Sequence, residues 1–188
     1  MAAVEKPLMA ARTHILRCSL EGGLAVDATA GNGHDTVFLA RLVGERGQVI
    51  AFDIQQAALD QTRKQLAAAG LEERVRFVLN SHEHAEAYIQ GSISAAMFNL
   101  GYLPGGDHHL TTLPETTVKA LAVLLEKLQP GGIVTLVVYA GHAGGYEEKE
   151  AVLDFCSRLD QQRYTALHYQ MINQANLPPS LVVIERHF

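Results

Sequence analysis

The sequence predicts an α/β fold, a mainly parallel sheet with helices on both faces, closed by an antiparallel hairpin. Two observations carry this. Short apolar runs alternate along the chain with stretches of helical spacing, the pattern of strand-helix units. The last two apolar runs have no helix between them, so they must pair with each other in antiparallel fashion.

The elements follow in order. Residues 5 to 20 are expected to form a helix before the first strand, Leu24-Ala-Val-Asp-Ala28. His34 to Leu42 has helical spacing, with Val37, Phe38 and Leu42 on one side. Val49-Ile-Ala-Phe-Asp53 is the second strand, and Gln56 to Ala69 a helix with Gly70 at its C-cap. Val75 to Leu79 is the third strand, followed by a short helix over Ser81 to Tyr88. Ile93 to Asn99 is the fourth, and Thr112 to Leu128 a long helix with Pro114 in its first turn. Pro130-Gly-Gly132 reads as a turn before a fifth strand, Ile133 to Tyr139. Glu147 to Leu159 is helical, and Tyr164 to Ile172 and Leu181 to Arg186 complete the hairpin.

The 188 residues suit one domain, 1–188, with neither a repeat nor a linker. Hydrophobic residues make up 48% and charged ones 19%, as in soluble globular proteins. The formal net charge of −5 neither requires nor excludes a nucleic-acid partner. Cys18 and Cys156 have no disulfide or metal spacing around them. With no leader-like run at the N-terminus and no membrane span, a cytoplasmic location is expected. Asp107 with His108-His109 is a poor metal motif, since adjacent histidines rarely share one ion, and no metal is expected.

Four clusters fall at the carboxyl ends of the strands, where open α/β sheets bind ligands. Gly31-Asn32-Gly33 lets the backbone turn sharply beside a ligand or simply makes a tight βα turn. The third position after Gly33 is Thr36, so the dinucleotide pattern G-x-G-x-x-G is incomplete. That weighs against a nicotinamide-dependent oxidoreductase. Asp53 ends the second strand and can accept both hydroxyls of a ribose. Asn80-Ser81-His82 can meet an adenine edge, or Ser81 can cap a helix with His82 exposed. Asn99-Leu-Gly-Tyr-Leu-Pro104 can wall a reacting group, or Tyr102 can merely pack.

These motifs resemble class I methyltransferases, whose first loop is Gly-rich and whose second strand ends in an acid. The combination of Asp27 to Thr36, Phe52 to Gln55, Ser81-His82, Asn99 to Pro104, Tyr139-Ala-Gly-His-Ala-Gly-Gly145 and Asn173 to Pro179 is similar to one bacterial family, over about residues 8 to 187. Its members were long labelled rRNA methylases and are now associated with methylating 5-aminomethyl-2-thiouridine at the tRNA wobble position (the MnmM/YtqB family). The resemblance implies a Rossmann-like, seven-stranded sheet, S-adenosyl-L-methionine as methyl donor, and a tRNA anticodon loop as partner. Asn32, His34, Asp53, Gln55, Ser81 and His82 fall on its cofactor motifs, with Asp27, Gly31, Gly33 and Asp35 beside them. Ala140 and Ala143 depart from it where proline is common, which bears on the rigidity of that loop.

The acceptor implied is a primary amine, which attacks only when unprotonated. Candidates at the reacting end are Asn99, Tyr102, Tyr139 and His142. Asn99 would position an amine proton, the tyrosines would form an aromatic wall, and His142 would take a proton or make only a backbone contact. Glu147 to Glu150 reads as a solvated charge run at a helix start. Basic residues such as Arg12, Arg41, Arg74, Lys119 and Arg163 are scattered, and a homodimer could gather them into one groove. Competing readings are an rRNA or small-molecule methyltransferase, a nicotinamide-dependent oxidoreductase, and a silent binding module.

Overall fold

The computed structural model describes residues 4–103 and 110–188. Strands β1 (Leu24–Asp27), β2 (Gln48–Asp53), β3 (Val75–Leu79), β4 (Ile93–Leu100), β5 (Leu128–Val138), β6 (Tyr164–Tyr169) and β7 (Ser180–Arg186) form one sheet in the order β3-β2-β1-β4-β5-β7-β6. The first five run parallel, while β7 enters antiparallel between β5 and β6. The expected hairpin is therefore present, with its second strand innermost. Asp107, His108 and His109 lie outside the described residues, as does Pro104.

Helices α1 (Pro7–Ile15), α2 (His34–Leu42) and α3 (Gln56–Ala69) cover one face, and α4 (Pro114–Lys127) and α5 (Gly145–Ser157) the other. Side chains on a strand alternate between faces, and here both faces are buried. Ala25, Val49, Ala95, Met97 and Val137 join the core under α1–α3. Their neighbours Val26, Ile50, Ala96, Phe98 and Leu136 join the core under α4 and α5. This is why the central strands read as unbroken apolar runs. Burial of one large side chain such as Phe52 or Phe98 contributes about 1.5–3 kcal/mol.

Local chemistry sets the boundaries. Pro7 and Pro114 occupy the first helical positions, where a missing N–H costs nothing. Gly70 ends α3 at φ +68°, and the Leu71 N–H then reaches back to the Leu66 carbonyl at 2.9 Å. The expected helix after β3 is a 3-10 turn over His82–Ala87. The expected turn at Pro130–Gly132 lies inside β5 as a bulge. Ile93 pairs with Leu128 and Ala95 with Ile133, so three extra residues loop out of the longer strand.

The strand order reverses between β1 and β4, so the loops leaving their carboxyl ends diverge. That crevice is where this kind of sheet binds ligands.

Candidate active site

A cleft of about 730 Å³ opens at this reversal. Its volume lies within the range of small-molecule sites. Gly31, Asn32, His34, Asp35, Asp53, Gln55, Ser81, His82, Asn99, Tyr102, Tyr139 and His142 all line it. Asp27 and Gly33 do not. They lie behind the lining, for reasons given below.

The end under β1–β3 is polar and held by main chain. Gly31, at φ +52°, donates its N–H to Asp53 Oδ2 at 2.9 Å, and the Gln55 N–H donates to Oδ1 at 2.9 Å. A carboxylate has about four lone-pair sites, so Asp53 retains acceptor capacity toward the cleft beyond its backbone donors. Burial raises its pKa against these backbone hydrogen bonds. Thr62 Oγ1 donates to the Gly31 carbonyl at 3.1 Å, fixing the turn from α3.

Asp27 is buried at 1% exposure beneath the turn. Its Oδ1 accepts from the Thr29 N–H at 3.1 Å and its Oδ2 from Thr36 Oγ1 at 2.6 Å. Burial, then the nearby Asp35, push its pKa up to about 7. It braces the loop from behind the lining of the cleft. Gly33 caps α2 at φ +86°, and a Cβ there would lie 2.8 Å from Thr62 Cα. It lets α2 and α3 approach closely. Asp35 reaches the cleft but is partly engaged: Arg12 of α1 donates from Nε at 3.0 Å and Nη2 at 2.7 Å to its Oδ1.

At the tip of β3 local bonds dominate. Asn80 Oδ1 accepts from the Ser81 N–H at 2.8 Å, Asn80 Nδ2 donates to Tyr88 Oη at 3.0 Å, and Ser81 Oγ accepts from the Glu83 N–H at 3.4 Å. Ser81 thus caps the 3-10 turn, as one reading expected. His82 is buried and not exposed, stacked edge-on against Phe98. Its Nδ1 donates to the Ala28 carbonyl at 3.1 Å, leaving Nε2 enclosed with no partner among the described residues. Burial lowers its pKa, so it stays neutral.

The end under β4 and β5 is built from side chains of distant segments. The Asn99 N–H donates to Thr29 Oγ1 at 2.7 Å, joining the tips of β1 and β4. Tyr102 stands edge-on to His142 with ring centres 5.8 Å apart. Tyr139 is 37% exposed, and burial, then the charge of Asp35, raise its pKa, so the phenol keeps its proton. The His142 ring packs against Gly101 and Gly145. A Cβ on either would meet its Nε2, at 3.5 Å and 2.9 Å respectively. Nε2 is enclosed, and Nδ1 donates to the Ala143 carbonyl at 2.9 Å. The backbone contact expected for His142 is therefore present, and neither nitrogen offers a free lone pair to the cleft.

Asn176, Leu177, Pro178 and Pro179 close this end from the loop between β6 and β7. Asn176 (φ 65°) and Leu177 (φ 46°) occupy the left-handed region, which is costly for a leucine. No Lys or Arg lines the cleft among the described residues. Arg12 is spent on Asp35 and Lys119 on Glu83.

Several residues here escaped the sequence reading. Thr29 has no local signal, because its partner lies seventy residues away. Glu148 was read as solvated and is fully buried, 0% exposed. Its spacing to Val152 and Cys156, on one helical stripe, was the available sign.

Comparison with known proteins accords with this geometry. Residues 49–185 match the family model described as "Putative rRNA methylase". A chloroplastic tRNA (mnm(5)s(2)U34)-methyltransferase of Arabidopsis thaliana is 37% identical over 176 residues, 88% of this chain. The chain spans only 64% of that relative's length. A solved structure from Clostridium thermocellum, described as an rRNA-methylase, superposes with TM-score 0.96 at 46% identity, covering 98% of this chain and all of the other. A methyltransferase structure from Streptococcus mutans in complex with SAH superposes with TM-score 0.90 at 40% identity, covering 97% and 99% of the two chains. The fold is that of class I, Rossmann-like methyltransferases.

Proposed function

The chain belongs to this rRNA methylase family, and we propose that it methylates the aminomethyl group of 5-aminomethyl-2-thiouridine at the tRNA wobble position with S-adenosylmethionine. The observation that carries the reading is the two-ended cleft. A glycine turn clamped to Asp53 faces an amide and two phenols across one cavity.

The polar end fits the donor's nucleoside. Asp53 keeps lone pairs for a ribose diol, and Gly31 leaves room at the turn, its nearest side-chain neighbour, Leu103 Cδ1, lying 3.6 Å from a would-be Cβ. Asn32, His34, Gln55 and the Ser81 hydroxyl line the same end. The donor supplies a methyl carbon activated by a sulfonium. An anionic grip on that cation would favour the ground state. Neutral Asn99 and the protonated Tyr139 suit the reacting end for that reason.

A free alkylammonium has a pKa of about 10.4 and cannot attack. An amine seated against the apolar side chains of Leu103, Leu110, Leu113, Leu177 and the two tyrosines would shed part of its hydration, which lowers its pKa. The side-chain carbonyl of Asn99, which has no protein partner among the described residues, accepts an amine hydrogen and aims the nitrogen lone pair. Tyr102 and Tyr139 bracket the flipped base. His142 shapes the wall, and acts as a base only if its ring turns.

Phosphate contacts must come from outside the cleft, so a homodimer that gathers basic residues around its mouth completes the reading. Residues 1–188 act as one domain, in the cytoplasm. Mass spectrometry of wobble nucleosides from undermodified tRNA, with and without enzyme and S-adenosylmethionine, tests it. A gain of one methyl on the aminomethyl nucleoside is expected. Transfer only to rRNA or to a small amine would overturn the acceptor, and binding of a nicotinamide dinucleotide without any response to S-adenosylmethionine would overturn the donor.

A further inference from the structure

Glu148 exposes none of its surface, yet no Lys or Arg pairs with it among the described residues. Its Oε1 accepts from Thr117 Oγ1 at 2.6 Å and its Oε2 from Thr112 Oγ1 at 2.7 Å. Thr112 is bound twice more. Its Oγ1 accepts from the Gly101 N–H at 2.9 Å, and its own N–H donates to the Gly101 carbonyl at 2.9 Å. One carboxylate therefore joins the segment leaving β4, the entry to α4 and the first turns of α5.

The direction of the hydrogen bonds is fixed by chemistry. An ionised carboxylate only accepts, so both threonine hydroxyls must donate to it. The Thr112 lone pairs are then left for the Gly101 N–H. Burial raises the Glu148 pKa, while the bonds from Thr117 and Thr112, and then the nearby His142, oppose that rise. The segment held in this way needs holding. Gly101 sits at φ +141°, and the His142 ring is wedged between it and Gly145. Asn99 and Tyr102 flank Gly101, and an unclamped wall would misplace all three lining residues together.

We propose that Glu148 is a positioning residue for methyl transfer: through Thr112 and Thr117 it holds the wall that carries Asn99, Tyr102 and His142 in the geometry the acceptor needs, without touching substrate. This rests on the methyltransferase reading above. A displacement of 1 Å at a reacting centre can lower turnover by about 10²-fold, so loss of the clamp falls on kcat and not on the donor end, which Glu148 does not contact.

Glu148→Gln places an amide N–H against one threonine hydroxyl, which can no longer donate there and must turn to accept, so one of the two charge-assisted bonds is lost. Thr112→Val removes the linking hydroxyl at nearly constant shape and serves if Glu148→Gln fails to fold. Thr112→Ser restores the hydroxyl. With the full chain and undermodified tRNA, kcat is expected to fall about 30-fold or more in Glu148→Gln and Thr112→Val. S-adenosylmethionine affinity by calorimetry should stay within about threefold, and Thr112→Ser should recover most of the turnover. Amide exchange over residues 99–103 should quicken in the two impaired variants and stay unchanged over residues 28–33.

A merely structural role would weaken donor binding and quicken exchange at both ends alike, and that result overturns the proposal. So does a folded Glu148→Gln or Thr112→Val enzyme with kcat within twofold of wild type. Wild-type enzyme inactive on every RNA and amine overturns the methyltransferase reading instead, and with it the proposal. Active wild type with unimpaired variants overturns the proposal alone.

Discussion

The two ends of the cleft are held by different means. Under β1–β3 the ligand-facing atoms are set largely by backbone donors from short loops: Gly31 and Gln55 to Asp53, and Ser81 to Asn80. Under β4 and β5 they are set by side chains from far along the chain: Thr29 to Asn99, Thr112 and Thr117 to Glu148, His142 against Tyr102. A backbone-clamped end keeps its form while most side chains vary, which suits a constant donor. A side-chain-clamped end can be reshaped residue by residue, which suits a specific acceptor.

The largest expected effect attacks the packing behind the donor end. Gly33→Ala forces a left-handed non-glycine residue, about 1–2 kcal/mol, and drives a Cβ against Thr62, about 1–3 kcal/mol. Urea unfolding should show a loss of about 2–5 kcal/mol. A loss below 1 kcal/mol would mean that the turn is softer than a backbone-held end implies.

Asp53→Ala removes the acceptor of two backbone N–H groups and of the proposed ribose contact. Hydrogen bonds to charged groups contribute about 1.5–3 kcal/mol, so S-adenosylmethionine should bind roughly 10- to 100-fold more weakly by calorimetry. At saturating donor, kcat should change little. An equal fall in kcat would erase the distinction between the two ends.

Asn99→Ala and Tyr139→Leu, which removes the aromatic ring, probe the other end. Turnover on undermodified tRNA should drop about tenfold in each, with donor affinity within about threefold. Unchanged turnover in both would remove these residues from the chemistry and leave only the wall.

The smallest effect is electrostatic. Asp27 has a folded pKa raised to about 7 from 3.8, so the folded state keeps its proton where the unfolded state has lost it. Its contribution to stability is complete below about pH 4, is lost as pH rises toward 7, and is flat above that. Asp27→Asn has no such group. Urea unfolding at pH 5 and pH 8 should show the wild type losing about 1 kcal/mol or more relative to the variant. A pH-independent difference would place the carboxylate in a more polar setting than its burial suggests.

The same contrast explains what could be read in advance. Gly31 and Asp53 lie in short segments at strand ends, and position and spacing brought them to one crevice, while Gln55 came only from the family resemblance. His34 to Leu42 and Gln56 to Ala69 matched their helices to the residue, since periodicity, a glycine turn and Gly70 mark them locally. Pro130–Gly132 misled for the converse reason. Proline and glycine signal a turn, but pairing with β4 and β7 kept the chain in the sheet and absorbed the three residues as a bulge. Glu148 misled, as did the alternative that left His82 exposed, because a polar residue looks solvated until its partners, Thr112 and Thr117 in one case and Ala28 in the other, are seen.

The sequence by itself determined the α/β alternation, the terminal hairpin and the place of Gly31 and Asp53 at neighbouring strand ends, because periodicity, turn chemistry and strand-end position are local properties. Only the tertiary structure decided that β7 lies inside β6, that Asp27 and Gly33 brace the loop from behind, that His142 is wedged between two glycines, and that Glu148 is buried between Thr112 and Thr117. Each of those depends on which distant segment fills the neighbouring space, and burial changes a polar group's role from solvated surface to structural anchor.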